Sequence, residues 1–159
     1  MVLVGAIVLA AAIPAAARGG STKITFTVKL ASEQTVLHKV GSGDDHTYGW
    51  NQLTGTATTD SGDVHVEILG NVEYTSGEGP FFGFVTLEFA SLSTLGLHME
   101  GHATLRKDGA TALKAKLRVI EGSAAFTGAQ GTGAFVGGRK AELGSPIEVT
   151  FTVNVRGLG

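Results

Sequence analysis

Val119-Ile-Glu-Gly-Ser-Ala-Ala-Phe-Thr-Gly-Ala-Gln-Gly-Thr-Gly-Ala-Phe-Val-Gly138 carries the clearest architectural signal in the chain. It is a near-repeat: Gly122, Phe126 and Gly128 return nine positions later as Gly131, Phe135 and Gly137, and Ala125-Phe126 returns as Ala134-Phe135. Glycine permits positive φ and close approach of backbones, and one phenylalanine per unit supplies a buried anchor. The pattern predicts a strand end, a tight turn over an aromatic plug, and a second short strand. A Gly-x-Gly run also invites a nucleotide-binding reading. Gly131 to Gly137 has the wrong spacing for it, and no helix pattern follows to receive a pyrophosphate.

Outward from this stretch the chain keeps a period of two, the signature of half-buried strands. Before it, Leu113, Ala115, Leu117 and Val119 alternate with Lys114, Lys116 and Arg118. After it, Pro146 opens a last strand in which Ile147, Val149, Phe151, Val153 and Val155 alternate with polar residues. Further upstream, Leu95 to Arg106 alternates up to the hairpin signal Lys107-Asp-Gly109. Val64, Val66 and Ile68 alternate after the turn Asp60–Asp63, and Ser76–Pro80 forms another turn. Tyr48–Thr58 reads as a strand bent at its glycines, and Gly41–His46 as a polar loop. Ile24, Phe26, Val28 and Leu30 mark the first strand. Ala31–Val40 fits either a short helical turn or a further strand. Phe81 to Phe89 is apolar on both faces, with Phe81, Val85, Leu87 and Phe89 on one and Phe82 and Phe84 on the other. Such a strand needs cover on both sides.

About eight strands result, with no useful helical period. A sandwich and a barrel both fit that count, and glycine kinks within strands favour a closed, curved sheet. A barrel of this size holds packed side chains or one small ligand.

Composition agrees. The 159 residues fit one domain, with 43% hydrophobic, only 16% charged, and 24 glycines. Twelve Lys and Arg against fourteen Asp and Glu leave a net charge of −2, which is no footprint for nucleic acid. The absence of cysteine excludes disulfides and thiolate chemistry. Residues 1–17 form an apolar run closed by Pro14 and Ala15-Ala16-Ala17, the pattern of a secretory leader, although no Lys or Arg precedes it. The run is short for a membrane span. The expectation is a signal peptide over 1–17, a single domain over 18–159, export from the cell, and no stable membrane span after cleavage. An uncleaved anchor or a buried N-terminal helix are the rival readings.

Leu95-Gly-Leu-His-Met-Glu-Gly-His102, with Leu117 to Gly131, resembles the allene oxide cyclase and dirigent superfamily. Members carry a strand ending in a Gly-Gly-Thr-Gly-x-Phe-x-Gly-x-x-Gly-like run. Gly122, Ala125, Phe126, Gly128 and Gly131 match it, while Ser123 and Ala124 depart. The resemblance runs from about Tyr74 to Val136. It implies an all-β, eight-stranded antiparallel barrel of allene oxide cyclase-like, calycin-like form, with an apolar cavity and assembly as a trimer. Catalytic residues do not carry over: the cyclase cysteine is missing, Glu33 and Asn51 do not align with that branch's acid and amides, and the acid and arginine set of dirigent proteins is unmatched.

Several side chains are candidates for chemistry. Tyr48, Trp50, Tyr74, Phe82 and Phe84 are the expected ligand-binding set, provided they face inward. Glu88, in phase with Phe82 and Phe84, would be a desolvated general acid or base if it faced the lumen, and Tyr74 is the other catalytic candidate. His98, Glu100 and His102 share one strand face and form a metal set, reinforced if His65 and Glu67 lie alongside. The competing reading is an ordinary solvent face, because Leu97 and Met99 claim the inside. Asp44, Asp45 and His46 read as a loop, with weak calcium binding as the sharper alternative. The functional expectation is a carrier of a small apolar molecule, without cofactor. A cofactor-free cyclase or isomerase acting by folding its substrate, and a structural oligomer with a filled barrel, are the alternatives. A homo-oligomer, trimer or dimer, is expected from the doubly apolar strand Phe81 to Phe89 together with the resemblance.

Overall fold

The computed structural model describes residues 20–140 and 142–157; the signal peptide expected over 1–17 lies outside the described residues. Eight antiparallel strands follow one another around a closed barrel, each hydrogen-bonded to its sequence neighbours, with the last pairing to the first. They are β1 (Ser21–Lys39), β2 (His46–Thr59), β3 (Gly62–Thr75), β4 (Gly79–Phe89), β5 (Thr94–Leu105), β6 (Thr111–Gly122), β7 (Gln130–Arg139) and β8 (Ile147–Arg156). Closure is achieved by β1 changing partner along its length. Ser21 to Leu30 pairs with β8, and Ala31 to Lys39 pairs with β2, with a bulge between Ser32 and Gln34.

This corrects the expectation for Ala31–Val40. The segment is neither a helical turn nor a separate strand; β1 runs on through Lys39. Its second half is exposed along nearly its whole length. With no buried face, the polar-apolar contrast that would reveal a strand is missing.

The lumen is filled in tiers. Its floor is the aromatic plug expected from the glycine stretch: a single 3₁₀ turn, Ala124–Phe126, buries Phe126 against Phe89, ring centroids 4.9 Å apart. The Ser93 hydroxyl meets the Ala125 amide at 3.4 Å, and Ser123 bonds both the carbonyl and the hydroxyl of Thr94, tying the plug to the start of β5. Above the plug, four phenylalanines form a chain, with Phe26 to Phe151 at 5.3 Å, Phe151 to Phe135 at 5.4 Å and Phe135 to Phe81 at 5.8 Å. Phe81 on β4 and Phe135 on β7 belong to strands that share no hydrogen bonds, so their stacking spans the interior. Gly101 of β5 makes room for it, since a Cβ there would run into the Phe81 ring. A Cβ on Gly137 would stand 2.6 Å from the Val149 backbone, so β7 nests against β8 only because that position is bare.

Candidate functional site

The end of the barrel opposite the plug is formed by the loops 40–45, 76–78, 106–110 and 142–146, and there the filling stops. A recess of about 610 Å³ opens among these loops, walled in part by Leu37, Thr47, Leu105 and Thr111. Beneath it lies a narrow cavity of about 50 Å³, whose walls include Ile68, Leu113, Phe135 and Ile147. Tyr74, Arg139 and Leu143 line both spaces and form the neck between them. The recess lies within the usual size range of small-ligand pockets; the cavity below has room only for the end of a molecule or for water.

Strand parity puts the neck residues in place. Tyr74 continues the inward series Val64, Val66, Ile68, Gly70 and Val72 of β3. Arg139 continues the inward face of Phe135 and Gly137 at the end of β7, where only 6% of it remains exposed. Its Cζ sits 5.8 Å from the centroid of the Tyr74 ring, within cation–π range. Among the described residues, Arg139 Nε has no hydrogen-bond partner. Burial raises the Tyr74 phenol above its ordinary pKa, and the neighbouring Arg139 pulls it partly back through its charge and a side-chain hydrogen bond to the phenol oxygen. The phenol therefore stays protonated and can donate a hydrogen bond. Asn51, inward on β2 and also buried, accepts a 2.9 Å hydrogen bond from Thr35. That bond fixes one wall of the cavity, under the Leu143–Ser145 segment.

Of the candidates read from the sequence, Tyr74 enters the neck of this site, and Asp44 and Asp45 of the loop after β1 line its recess. Phe82 and Phe84 stand on the outer wall at 41% and 51% exposure, because Phe81, Val85 and Leu87 take the inner face of β4. Tyr48 and Trp50 are likewise outside, since the buried Asn51 and Leu53 set the parity of β2. The expectation that these four line the lumen is corrected. Glu88 shares the outer face and is exposed, so it is no desolvated acid. His98, Glu100 and His102 also face outward. His98 Nδ1 lies 3.9 Å from Glu100, and its ring meets the edge of Phe84 at 5.6 Å. No group of three metal-ligating side chains occurs among the described residues. Arg139 was missed in the sequence, although its phase with Phe135 already marked it as inward.

No family model matches the chain, and no curated protein sequence does. Solved structures do match. The pterocarpan synthase dirigent protein PsPTS1 is similar with a TM-score of 0.57 and 16% identity, over 90% of this chain and 99% of that one. The pterocarpan synthase dirigent protein GePTS1 is similar with a TM-score of 0.52 and 14% identity, over 87% of each. At these identities the likeness is one of fold: the chain has a dirigent-like eight-stranded antiparallel barrel.

Proposed function

We propose that the protein binds a small, largely apolar molecule at the open end of its barrel. The supporting observation is the funnel itself: a recess of ligand size narrows onto Tyr74 and Arg139 above an apolar cavity, while the opposite end is sealed by Phe126. Apolar walls with a few convergent polar groups are the usual form of a small-molecule site. The binding test uses the neutral dye N-phenyl-1-naphthylamine, which brightens in an apolar environment. The native chain enhances its fluorescence saturably, and Leu143→Trp, which crowds the neck, weakens that enhancement. Dye fluorescence that does not saturate, or that Leu143→Trp leaves untouched, refutes the assignment.

A second reading is favoured by one specific feature, the protonated phenol of Tyr74 beside a cation. A cofactor-free cyclase or isomerase uses such a pair to hold a carbonyl or ether oxygen while the chamber imposes the reactive conformer. Two further proposals rest on the sequence and the outer wall. The leader at 1–17 supports export. The exposed Phe82 and Phe84, the latter paired with Leu69 on β3, support packing of further copies against β4. Light scattering at micromolar concentration tests that packing, and a monomer counts against it.

A further inference from the structure

We propose that the neck of the funnel is a carboxylate site, in which Arg139 receives the anionic end of a ligand whose apolar body occupies the recess. The inference rests on the small-molecule reading above and specifies its ligand class.

Arg139 is withdrawn from water to 6% exposure, yet its Nε finds no partner among the described residues. Burying a guanidinium is costly unless its donors are satisfied. Tyr74 contributes cation–π attraction from its ring face and a side-chain hydrogen bond at its hydroxyl, but neither satisfies Nε. The other charged groups around the recess are His38 and Lys39 at the end of β1, Asp44 and Asp45 in the following loop, and Glu142 beyond β7. None of these acids forms an ion pair with Arg139. Lys39 is already engaged with the Asp44 carbonyl. The fold therefore holds a forked donor at the junction of an apolar cavity and an open recess, with its Nε unpaired and no ion-pair partner among the described residues. A carboxylate matches that fork in shape and in unit charge. A phosphate dianion would bring two charges to one buried cation in a cavity of about 50 Å³, and is the poorer match. The protonated Tyr74 hydroxyl is a second donor facing the same space.

The test compares two probes with the same apolar body, 4-phenylbutyrate and 4-phenylbutanol, each displacing N-phenyl-1-naphthylamine from the full chain. The carboxylate is expected to bind about tenfold more tightly than the alcohol, the scale of a charge-assisted hydrogen bond. Arg139→Gln abolishes the preference and Arg139→Lys retains part of it. Equal binding of acid and alcohol, or a preference that persists in Arg139→Gln, overturns the carboxylate site and leaves the small-molecule reading intact. Failure of the native chain to bind the dye and both probes overturns the two together. A readout on the native protein covers the case in which Arg139→Gln does not fold. Burial raises the Tyr74 pKa, so phenolate absorbance follows its late titration. Saturating 4-phenylbutyrate offsets the Arg139 charge and moves that later titration to higher pH, whereas 4-phenylbutanol does not. No movement with the acid, or the same movement with the alcohol, overturns the proposal.

Discussion

Replacing Arg139 with methionine is expected to make the empty protein more stable. The guanidinium is buried to 6% exposure with an orphaned Nε, and a buried unsatisfied donor costs about 1–3 kcal/mol, more when charged. Against that stands the loss of its cation–π contact with Tyr74, worth about 0.5–2 kcal/mol. Methionine retains much of the aliphatic stem, and the thioether adapts to irregular space. The balance favours the variant by about 1 kcal/mol, which for a domain of this size raises Tm by about 4 °C. Urea unfolding at pH 7 measures it: the midpoint rises while the slope m stays constant. Stabilisation bought by losing a site is the usual trade at a functional position. A double-mutant cycle with Tyr74→Phe sharpens the result, because the two changes are coupled only if the side chains meet. If Arg139→Met lowers stability by more than about 1 kcal/mol, the guanidinium is a strut satisfied within the fold, and the reasoning that it awaits a ligand fails.

Stability should also fall at alkaline pH. The Tyr74 pKa is raised in the folded state, so the folded chain holds its proton where the unfolded chain has lost it. That contribution is complete below the unfolded value of 10.0 and is lost as pH rises through the folded one. Tyr74→Phe should flatten the decline above pH 10 in thermal melts, and an unchanged slope would locate its cause elsewhere. Phe126→Ala removes the floor plug and is expected to cost about 3 kcal/mol in urea unfolding; a cost under about 1 kcal/mol would mean that the turn is not part of the core. Gly137→Ala forces a Cβ to within 2.6 Å of the Val149 backbone, and an overpacking loss of about 1–3 kcal/mol follows; wild-type stability would contradict the nesting of β7 on β8. Zinc should leave Tm unchanged, because His98, Glu100 and His102 do not converge on a common point, and a saturable rise would reinstate the metal site.

The candidate site was only partly legible in the sequence. Tyr74 was identified because it is a polar aromatic on a strand, and it proved to be in phase with Ile68 and Val72. Phe82 and Phe84 misled because β4 is apolar on both faces. Alternation divides such a strand into two sets without saying which set is enclosed. Arg139 escaped notice for the opposite reason. A charged residue at a strand end normally belongs to solvent, and the bare Gly137 and Gly138 before it hide the rhythm begun by Phe135. Counting in twos from Phe135 would have placed it inside.

Local alternation, the hairpin signals and the glycine–phenylalanine repeat were sufficient to specify the strands, most of the turns and the aromatic plug, because these depend on side-chain periodicity and backbone freedom over a few residues. Tertiary structure alone decided that β1 leaves β8 for β2 halfway along and thereby closes the sheet, since its exposed second half carries no pattern to read. It also decided which face of β4 is enclosed and that Tyr74 and Arg139 meet across the mouth. Those outcomes depend on the curvature and stagger of the whole sheet, which no segment encodes by itself.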